Sequence, residues 1–386
     1  MTALALALLH APLAGVPIAD IPFERVGNRI YLKASLNGQK VNAVLDSGAG
    51  ATVADDTMGT TAGATKVQEI AAGGAGAKTI KAWVVSGLKL TLDGTKIDHP
   101  IQVILPLAPL TVMEGRPLQT ILGFDFFSRY RVEIDYAAGR LRLFDPSDDT
   151  VPAGAIAVPI DFVRNLPHIK GRIQLPRFGS HDVTMMLDTG ATSSATLTRR
   201  FVKQKDLANK FNDSPEMVLG GGVGGETKGR RVRLVALTFG GSRLLGPVAM
   251  MESTEGGSTG AASDYDVLIG GESLRRFTVT FDYAHKRVFF KPNSAFKETF
   301  IGDRVGFAVF VGANGGFEVK QLVPSSPATE AGLAVGDEIV AVNGTTFTSL
   351  DELRKALRGV KGEVKVKVKR AGAEKDLVLK ARELVP

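Results

Sequence analysis

The sequence predicts a mainly β protein with two similar lobes and a small α+β domain after them. Two observations carry this. The tetrapeptide Asp-Ser/Thr-Gly-Ala occurs twice, as Asp46-Ser47-Gly48-Ala49 and Asp188-Thr189-Gly190-Ala191, each time after a short apolar run at 41–45 and 183–187. Each copy is followed by two apolar residues and a glycine, Ile121-Leu122-Gly123 and Leu268-Ile269-Gly270. The glycine lies 77 residues beyond the aspartate in the first copy and 82 in the second. Two unrelated segments rarely share both order and spacing, so the first three-quarters of the chain reads as an internal repeat.

Each element of the repeat has its own signal. The copies open on Ile21-Pro22-Phe23 and Val158-Pro159-Ile160 and run through strand-like stretches, 28–38 and 165–175, to the aspartates. A glycine cluster follows in each: Gly73, Gly74 and Gly76, then Gly220, Gly221, Gly222, Gly224 and Gly225. Both clusters precede strand-like segments, 80–90 and 231–239. Glycine permits mobility and close backbone approach at a hairpin tip, so Gly73, Gly74, Gly76, Gly221, Gly222 and Gly224 are candidate flap residues. After Gly123 and Gly270 the sequence predicts one short helix and then a hairpin. Arg131-Val-Glu-Ile-Asp135 and Thr278-Val-Thr-Phe-Asp282 alternate with period two. Tyr136-Ala-Ala-Gly139 and Tyr283-Ala-His-Lys286 are turn-like links to the next strands. Residues 146–152 read as the link between copies, and 291–295 as the end of the second.

From about residue 300 the pattern changes. A strand is expected within 315–324, a short helix at 326–333 with a proline near its start, and a strand at 335–344 ending in an Asn-Gly turn. Ser349-Leu-Asp-Glu352 is a capping box opening a helix through Leu357. Val364-Lys-Val-Lys-Val-Lys-Arg370 alternates as a half-buried strand whose lysines fall on one solvated face.

Composition excludes several classes. The 44 glycines follow no three-residue period, which excludes a collagen-like chain. Cysteine is absent, so there is no disulfide or thiolate metal site. The five histidines show no His-x-x-x-His spacing, so no metal site is expected. The net charge of +7 is spread among acidic residues without a basic block, so no nucleic-acid partner is expected. The apolar start, Met1-Thr-Ala-Leu-Ala-Leu-Ala-Leu-Leu9, has the length of a signal-peptide core but no Lys or Arg before it. It is too short to span a bilayer. The reading is a signal or leader segment over 1–19 and a periplasmic or secreted protein, with a cytoplasmic location as the alternative.

An aspartate in such a turn commonly bonds its own backbone, so one copy alone says little. Two matched copies point to one site built from two carboxylates. With these motifs the segment from about 20 to 292 resembles the pepsin and retropepsin superfamily of aspartic proteases. That resemblance implies a β-barrel pseudo-dimer with lobes at 20–148 and 155–295. It implies Asp46 and Asp188 as a catalytic dyad that activates water for peptide-bond hydrolysis. Ser47 and Thr189 would form crossed hydroxyl–backbone bonds beneath the dyad. Gly48 and Gly190 would let the turns approach, and Gly123 and Gly270 would pack behind the aspartates. Ala49 and Ala191 stand where pepsins usually carry a hydroxyl and retropepsins commonly carry Ala. The flap candidates also lack the tyrosine of pepsins. The expected molecule is therefore a single-chain, monomeric pseudo-dimer with retropepsin-like lobes, protein or peptide substrates and no cofactor.

Ser326-Pro-Ala, continued by Ala331-Gly-Leu-Ala-Val-Gly-Asp-Glu-Ile-Val-Ala-Val-Asn-Gly344, resembles a bacterial PDZ domain, placed at 300–386. The resemblance implies binding of C-terminal peptides by strand addition. Val305-Gly306-Phe307 is the candidate carboxylate loop, with Gly315-Gly316-Phe317 as the competing assignment. Two rival functions remain. One is an inactive protease fold serving as a peptide-binding adaptor. The other is a different hydrolase pairing an aspartate with His168 or His181, which no Gly-x-Ser-x-Gly elbow supports.

Overall fold

The computed structural model describes residues 15–74, 76, 78–212, 214–253 and 264–385. The apolar segment 1–9 lies outside these. Strand makes up 49% of the chain and helix 13%, so the fold is mainly β: a bilobed protease fold plus a PDZ domain.

The first lobe is an eight-stranded sheet. Its order runs Glu24–Val26, Arg29–Leu36, Gln39–Leu45, Thr120–Leu122, Val53–Asp55, Asp98–Leu105, Ile80–Leu92, Thr65–Ala72, and an extra pairing of Arg29–Leu36 with Ile80–Leu92 closes it on itself. Asn37 (φ 46°) and Gly38 (φ 87°) form the two-residue turn that joins Arg29–Leu36 to Gln39–Leu45. Both residues need positive φ there, which Asn-Gly supplies at least strain. The second lobe repeats the plan. Leu166–Leu175 pairs with Gly179–Leu187, and Gly179–Leu187 pairs in parallel with Val267–Ile269, as Gln39–Leu45 does with Thr120–Leu122.

The strand expected over 231–239 is broken in two. Gly225–Arg233 pairs with Val248–Glu252, whereas Ala236–Phe239 pairs with Leu166–Leu175. Between them Leu234 N–H bonds Pro247 O and Val235 N–H bonds Gln174 O, so the chain changes partner at this point. Alternation alone cannot show such a change, because the side-chain period continues through it.

The two expected hairpins, Arg131–Asp135 with Arg140–Phe144 and Phe277–Asp282 with Arg287–Pro292, do more than close their own lobes. They join into one six-stranded sheet through Arg131–Asp135 and Phe277–Asp282, with Val132 opposite Phe281 and Ile134 opposite Val279. The short helix Phe124–Arg129 after Gly123 delivers Phe127 across the boundary. Its ring lies 5.1 Å from Phe281 and 5.5 Å from Tyr283. Phe126, Phe127, Phe277, Phe281, Phe289 and Phe290 are all fully buried. At roughly 1.5–3 kcal/mol for each fully buried side chain of this size, the lobes share one core rather than touching as separate units.

The buried Arg276 ties down the exit from the second lobe. Its guanidinium donates to Ala295 O and Glu298 O and stacks 3.6 Å from the Phe300 ring. The PDZ domain follows as a five-stranded sheet in chain order: Phe307–Val311, Phe317–Leu322, Glu338–Val342, Gly362–Arg370, Ala373–Ala381. The expected capping box is formed. Ser349 Oγ accepts from Glu352 N–H and the Glu352 carboxylate accepts from Ser349 N–H, both at 3.3 Å, opening the helix Leu350–Arg358. Leu350, Leu353 and Leu357 recur on its inward face. The domain leans on the lobes. Gly115 of the first lobe has no room for a Cβ, which would lie 2.7 Å from Leu350 Cβ. Arg354 donates to Met113 O at 3.1 Å.

Candidate active site

Each aspartate sits where a buried strand ends. Asp46 follows Gln39–Leu45 and its N–H bonds Leu122 O at 2.9 Å; Asp188 follows Gly179–Leu187 and its N–H bonds Ile269 O at 2.9 Å. The two turns face one another across the lobe boundary, and four hydroxyl bonds lock them. Ser47 N–H donates to Thr189 Oγ1 (2.9 Å) and Thr189 N–H to Ser47 Oγ (3.1 Å). Ser47 Oγ donates to Leu187 O (2.8 Å) and Thr189 Oγ1 to Leu45 O (2.9 Å). Both side chains are fully buried. Each hydroxyl is donor and acceptor at once, so every polar group in the crossing is satisfied.

The glycines behave as the sequence requires. A Cβ on Gly48 would lie 2.6 Å from Asp188 Cγ, and one on Gly190 would lie 2.3 Å from Asp46 Cγ. Gly123 and Gly270 stand behind the turns, where a Cβ would meet Ala51 O and Ser193 O at 2.4 Å. With these contacts permitted, each carboxyl lies against the glycine of the opposite turn, and the Asp46 and Asp188 carboxyls face one another. Gly48 N–H also donates to Asp46 Oδ1, and Gly190 and Ala191 N–H to Asp188 Oδ1.

Burial pushes both carboxyls above their usual range. Asp188 goes well above it, because the Asp46 charge facing it adds to the burial. Backbone N–H bonds and the Arg29 charge pull the other way. Two carboxyls in contact cannot both ionise easily, so the proton belongs to the pair.

Above the pair lies a cavity of about 1350 Å³. Two hairpins roof it. Thr65–Ala72 with Ile80–Leu92 brings Gly73 and Gly74; Met217–Gly222 with Gly225–Arg233 brings Gly221, Gly222 and Val223. Their tips touch. Gly76 bridges Gly224, and Lys78 N–H donates to Gly224 O at 3.0 Å. Val223 packs over Gly74, where a Cβ would lie 2.3 Å from its methyl.

The family follows from a match that covers both copies of the turn. An aspartyl protease family model matches residues 32–126 and 175–272. The chain belongs to the aspartyl protease family. A PDZ domain model matches residues 318–370. DNA damage-inducible protein 1 of Neurospora crassa is 34% identical over 112 residues, 29% of this chain and 24% of that protein. The Chaetomium globosum protein of the same name is 30% identical over 116 residues, with the same coverage. The chain thus spans about a quarter of the length of each relative. Among solved structures it is similar to basic 7S globulin from soybean, at 13% identity and a TM-score of 0.40 over 73% of this chain and 96% of that one. It is also similar to the HtrA3 PDZ domain bound to a phage-derived ligand, at 22% identity and a TM-score of 0.19 over 20% and 83%.

The cleft of this aspartyl protease family member holds a charged residue that pattern reading passed over. Arg29 donates through Nε to Gly190 O, in the turn of the other lobe, and pairs with Glu114. Burial works against its charge, but the Glu114 charge and bond outweigh this and raise its pKa. Its strand position looks like any surface charge; only its register against the aspartate could have marked it. Neither candidate histidine hydrogen-bonds an aspartate of the pair among the described residues, although His168 lines the same cavity. His181 Nε2 faces Phe178 O, and the His168 ring lies tilted 5.5 Å from Tyr265, its pKa lowered by burial. Val305, Gly306 and Phe307 of the PDZ domain lie at the start of the strand Phe307–Val311, and Val305 and Phe307 line the same cavity as the aspartates.

Proposed function

We propose that the chain is an aspartic endopeptidase in which Asp46 and Asp188 activate one water. The observation that carries this is the pair of carboxyls, one from each lobe, set face to face by the crossed Ser47 and Thr189 bonds at the floor of a roofed cleft. With one proton on the pair, the ionised carboxylate takes a proton from water as the water oxygen attacks the peptide carbonyl carbon. The neutral carboxyl gives its proton to the carbonyl oxygen. The C–N bond of the resulting diol then breaks as the first carboxyl hands its proton to nitrogen and the second, now ionised, takes a proton from a diol hydroxyl, which leaves a carboxylic acid, an amine and one proton on the pair. Each transfer is general acid–base catalysis, typically about 10²–10⁴-fold. The glycine-rich tips act as flaps that part to admit an extended peptide and close over it. The PDZ domain adds a second peptide site, for the substrate or a partner. An extracytoplasmic location belongs to the same proposal and is checked by fractionation with N-terminal sequencing of the mature chain.

A digest of proteome-derived peptides, read by mass spectrometry, tests the reading. Cleavage by the wild-type chain should vanish in Asp46→Asn and in Asp188→Asn with the fold unchanged. Undiminished cleavage by both variants would overturn it and return the choice to another hydrolase. Absence of cleavage in all three would favour the adaptor.

A further inference from the structure

A PDZ loop takes a terminal carboxylate through backbone N–H groups pointing into it. Here two of those groups are already bonded. Val305 N–H and Gly306 N–H donate to Asp303 Oδ1 at 3.0 and 2.9 Å. Each N–H has one proton, so a terminal carboxylate must first expel Asp303 and then lie beside its charge. Asp303 is also held from outside the domain. Its Oδ2 pairs with Arg231 Nη1 at 3.0 Å, and Arg231 sits on Gly225–Arg233, the rear strand of the second flap hairpin. The front strand, Met217–Gly222, is held too. With its amide oriented so that oxygen meets a donor and nitrogen an acceptor, Gln321 accepts from Val218 N–H and donates to Val218 O, at 2.8 and 3.1 Å.

The binding strand itself is only partly engaged, with Val309 O accepting from Arg354 Nη2 at 2.9 Å. Phe307–Val311 ends its sheet and pairs on one side only among the described strands. An edge of this kind is a template for a further strand. Ala308, Val309, Phe310 and Arg354 line the same cavity as Asp46 and Asp188.

We propose that the PDZ groove takes an extended internal segment of a polypeptide, without a free C-terminus, and that Asp303 stands where a ligand carboxylate would otherwise sit. The occupant is a stretch of the substrate chain flanking the bond to be cut, because groove and cleft are one cavity. That last clause rests on the endopeptidase reading; the preference for an internal segment does not.

The test uses the full chain carrying Asp46→Asn. Two pools of random dodecapeptides are added, one with free and one with amidated C-termini, and amide hydrogen exchange is followed over 307–311. At ten times the dissociation constant, exchange at bound amides should slow about tenfold. Both pools should give the same slowing at the same concentration. Adding Asp303→Ala should make the free-ended pool the stronger, whereas Asp303→Asn, which keeps an oxygen for both N–H groups, should leave the pools equal. Stronger protection by free ends with Asp303 in place would overturn the proposal, as would no protection by either pool or no gain of preference with Asp303→Ala. Equal protection by a chain whose Asp46 form cuts nothing would sink the endopeptidase reading and leave this one standing.

Discussion

In the first lobe the strand paired with the one that leads to the aspartate carries Arg29, two residues before Tyr31, which lies opposite Val44. In the second lobe Leu166 holds that register, two residues before His168 opposite Met186. The frames are alike: the same parallel strand pair, the same hydroxyl crossing, the same glycine behind the turn. The surroundings differ. The first lobe supplies a guanidinium whose charge reaches both aspartates, and the second supplies an apolar cluster of Met186, Tyr265 and Leu268 with Leu166 packed on it. The repeated frame fixes where the carboxyls stand, and the unrepeated residues fix how readily they lose protons.

The largest expected effect tests the likeness. Asp46→Asn and Asp188→Asn should each lower kcat by about 10²–10⁴ or more, and by similar factors, in single-turnover peptide hydrolysis. A dispensable aspartate in either lobe would break the comparison. Stability should move the opposite way. Burial raises both carboxyls above 3.8, so the folded chain holds protons more tightly than the unfolded chain. Wild-type stability is then fully present below about pH 4 and lost as pH rises through the raised values. Either Asn variant should melt above wild type at neutral pH in calorimetry.

The next effect tests the difference. Arg29→Leu makes the first lobe like the second and leaves the partly buried Glu114 without its partner, at a cost in urea unfolding below the ~3–5 kcal/mol of a fully buried pair. Arg29→Leu with Glu114→Leu should recover much of that. In both variants the acid limb of the pH–rate profile should move up, since a nearby positive charge favours the ionised carboxyl. An unmoved limb would mean that Arg29 only clips the opposite turn.

Smaller effects probe the shared frame. Ser47→Ala and Thr189→Ala each strand a buried N–H, at about 1–3 kcal/mol, and the double variant should cost less than the sum because the bonds form one network. Smallest is the acid limb in Ala49→Ser with Ala191→Ser, which should shift downward as hydroxyl donors favour the ionised carboxyls. Ala191 N–H already bonds Asp188, so the shift should be modest.

The frame was legible because repetition exposes it. The aspartate turns, Ser47 and Thr189, the four glycines and both glycine-rich tips stand at matched positions in two copies; the aspartates, Gly48, Gly190 and the tips line one cavity, and the others pack beneath it. The capping box at Ser349 was legible because its bonds are local. What is not repeated and not local stayed hidden. Arg29 looks like any strand charge until Glu114, 85 positions on, is brought beside it. Asp303 looks like a linker residue until the Gly225–Arg233 strand supplies Arg231. The strand break near Leu234 is a change of partner, and hydrophobic period carries no record of partners.

The sheet between the lobes has one further consequence. Residue 133 corresponds to residue 280 in the repeat, and Glu133 lies opposite Thr280 in the register, while Val132 opposite Phe281 mirrors Ile134 opposite Val279. The strand is thus paired with its own counterpart about a local twofold axis, the isologous arrangement of a symmetric homodimer. Each half also opens and closes within that sheet, since Ala19–Pro22 pairs with Arg140–Phe144 and Ile156–Pro159 with Arg287–Pro292. The peptide link at 146–152 therefore joins two modules whose ends are already secured. Severing it should leave a heterodimer of two chains that associate through this sheet.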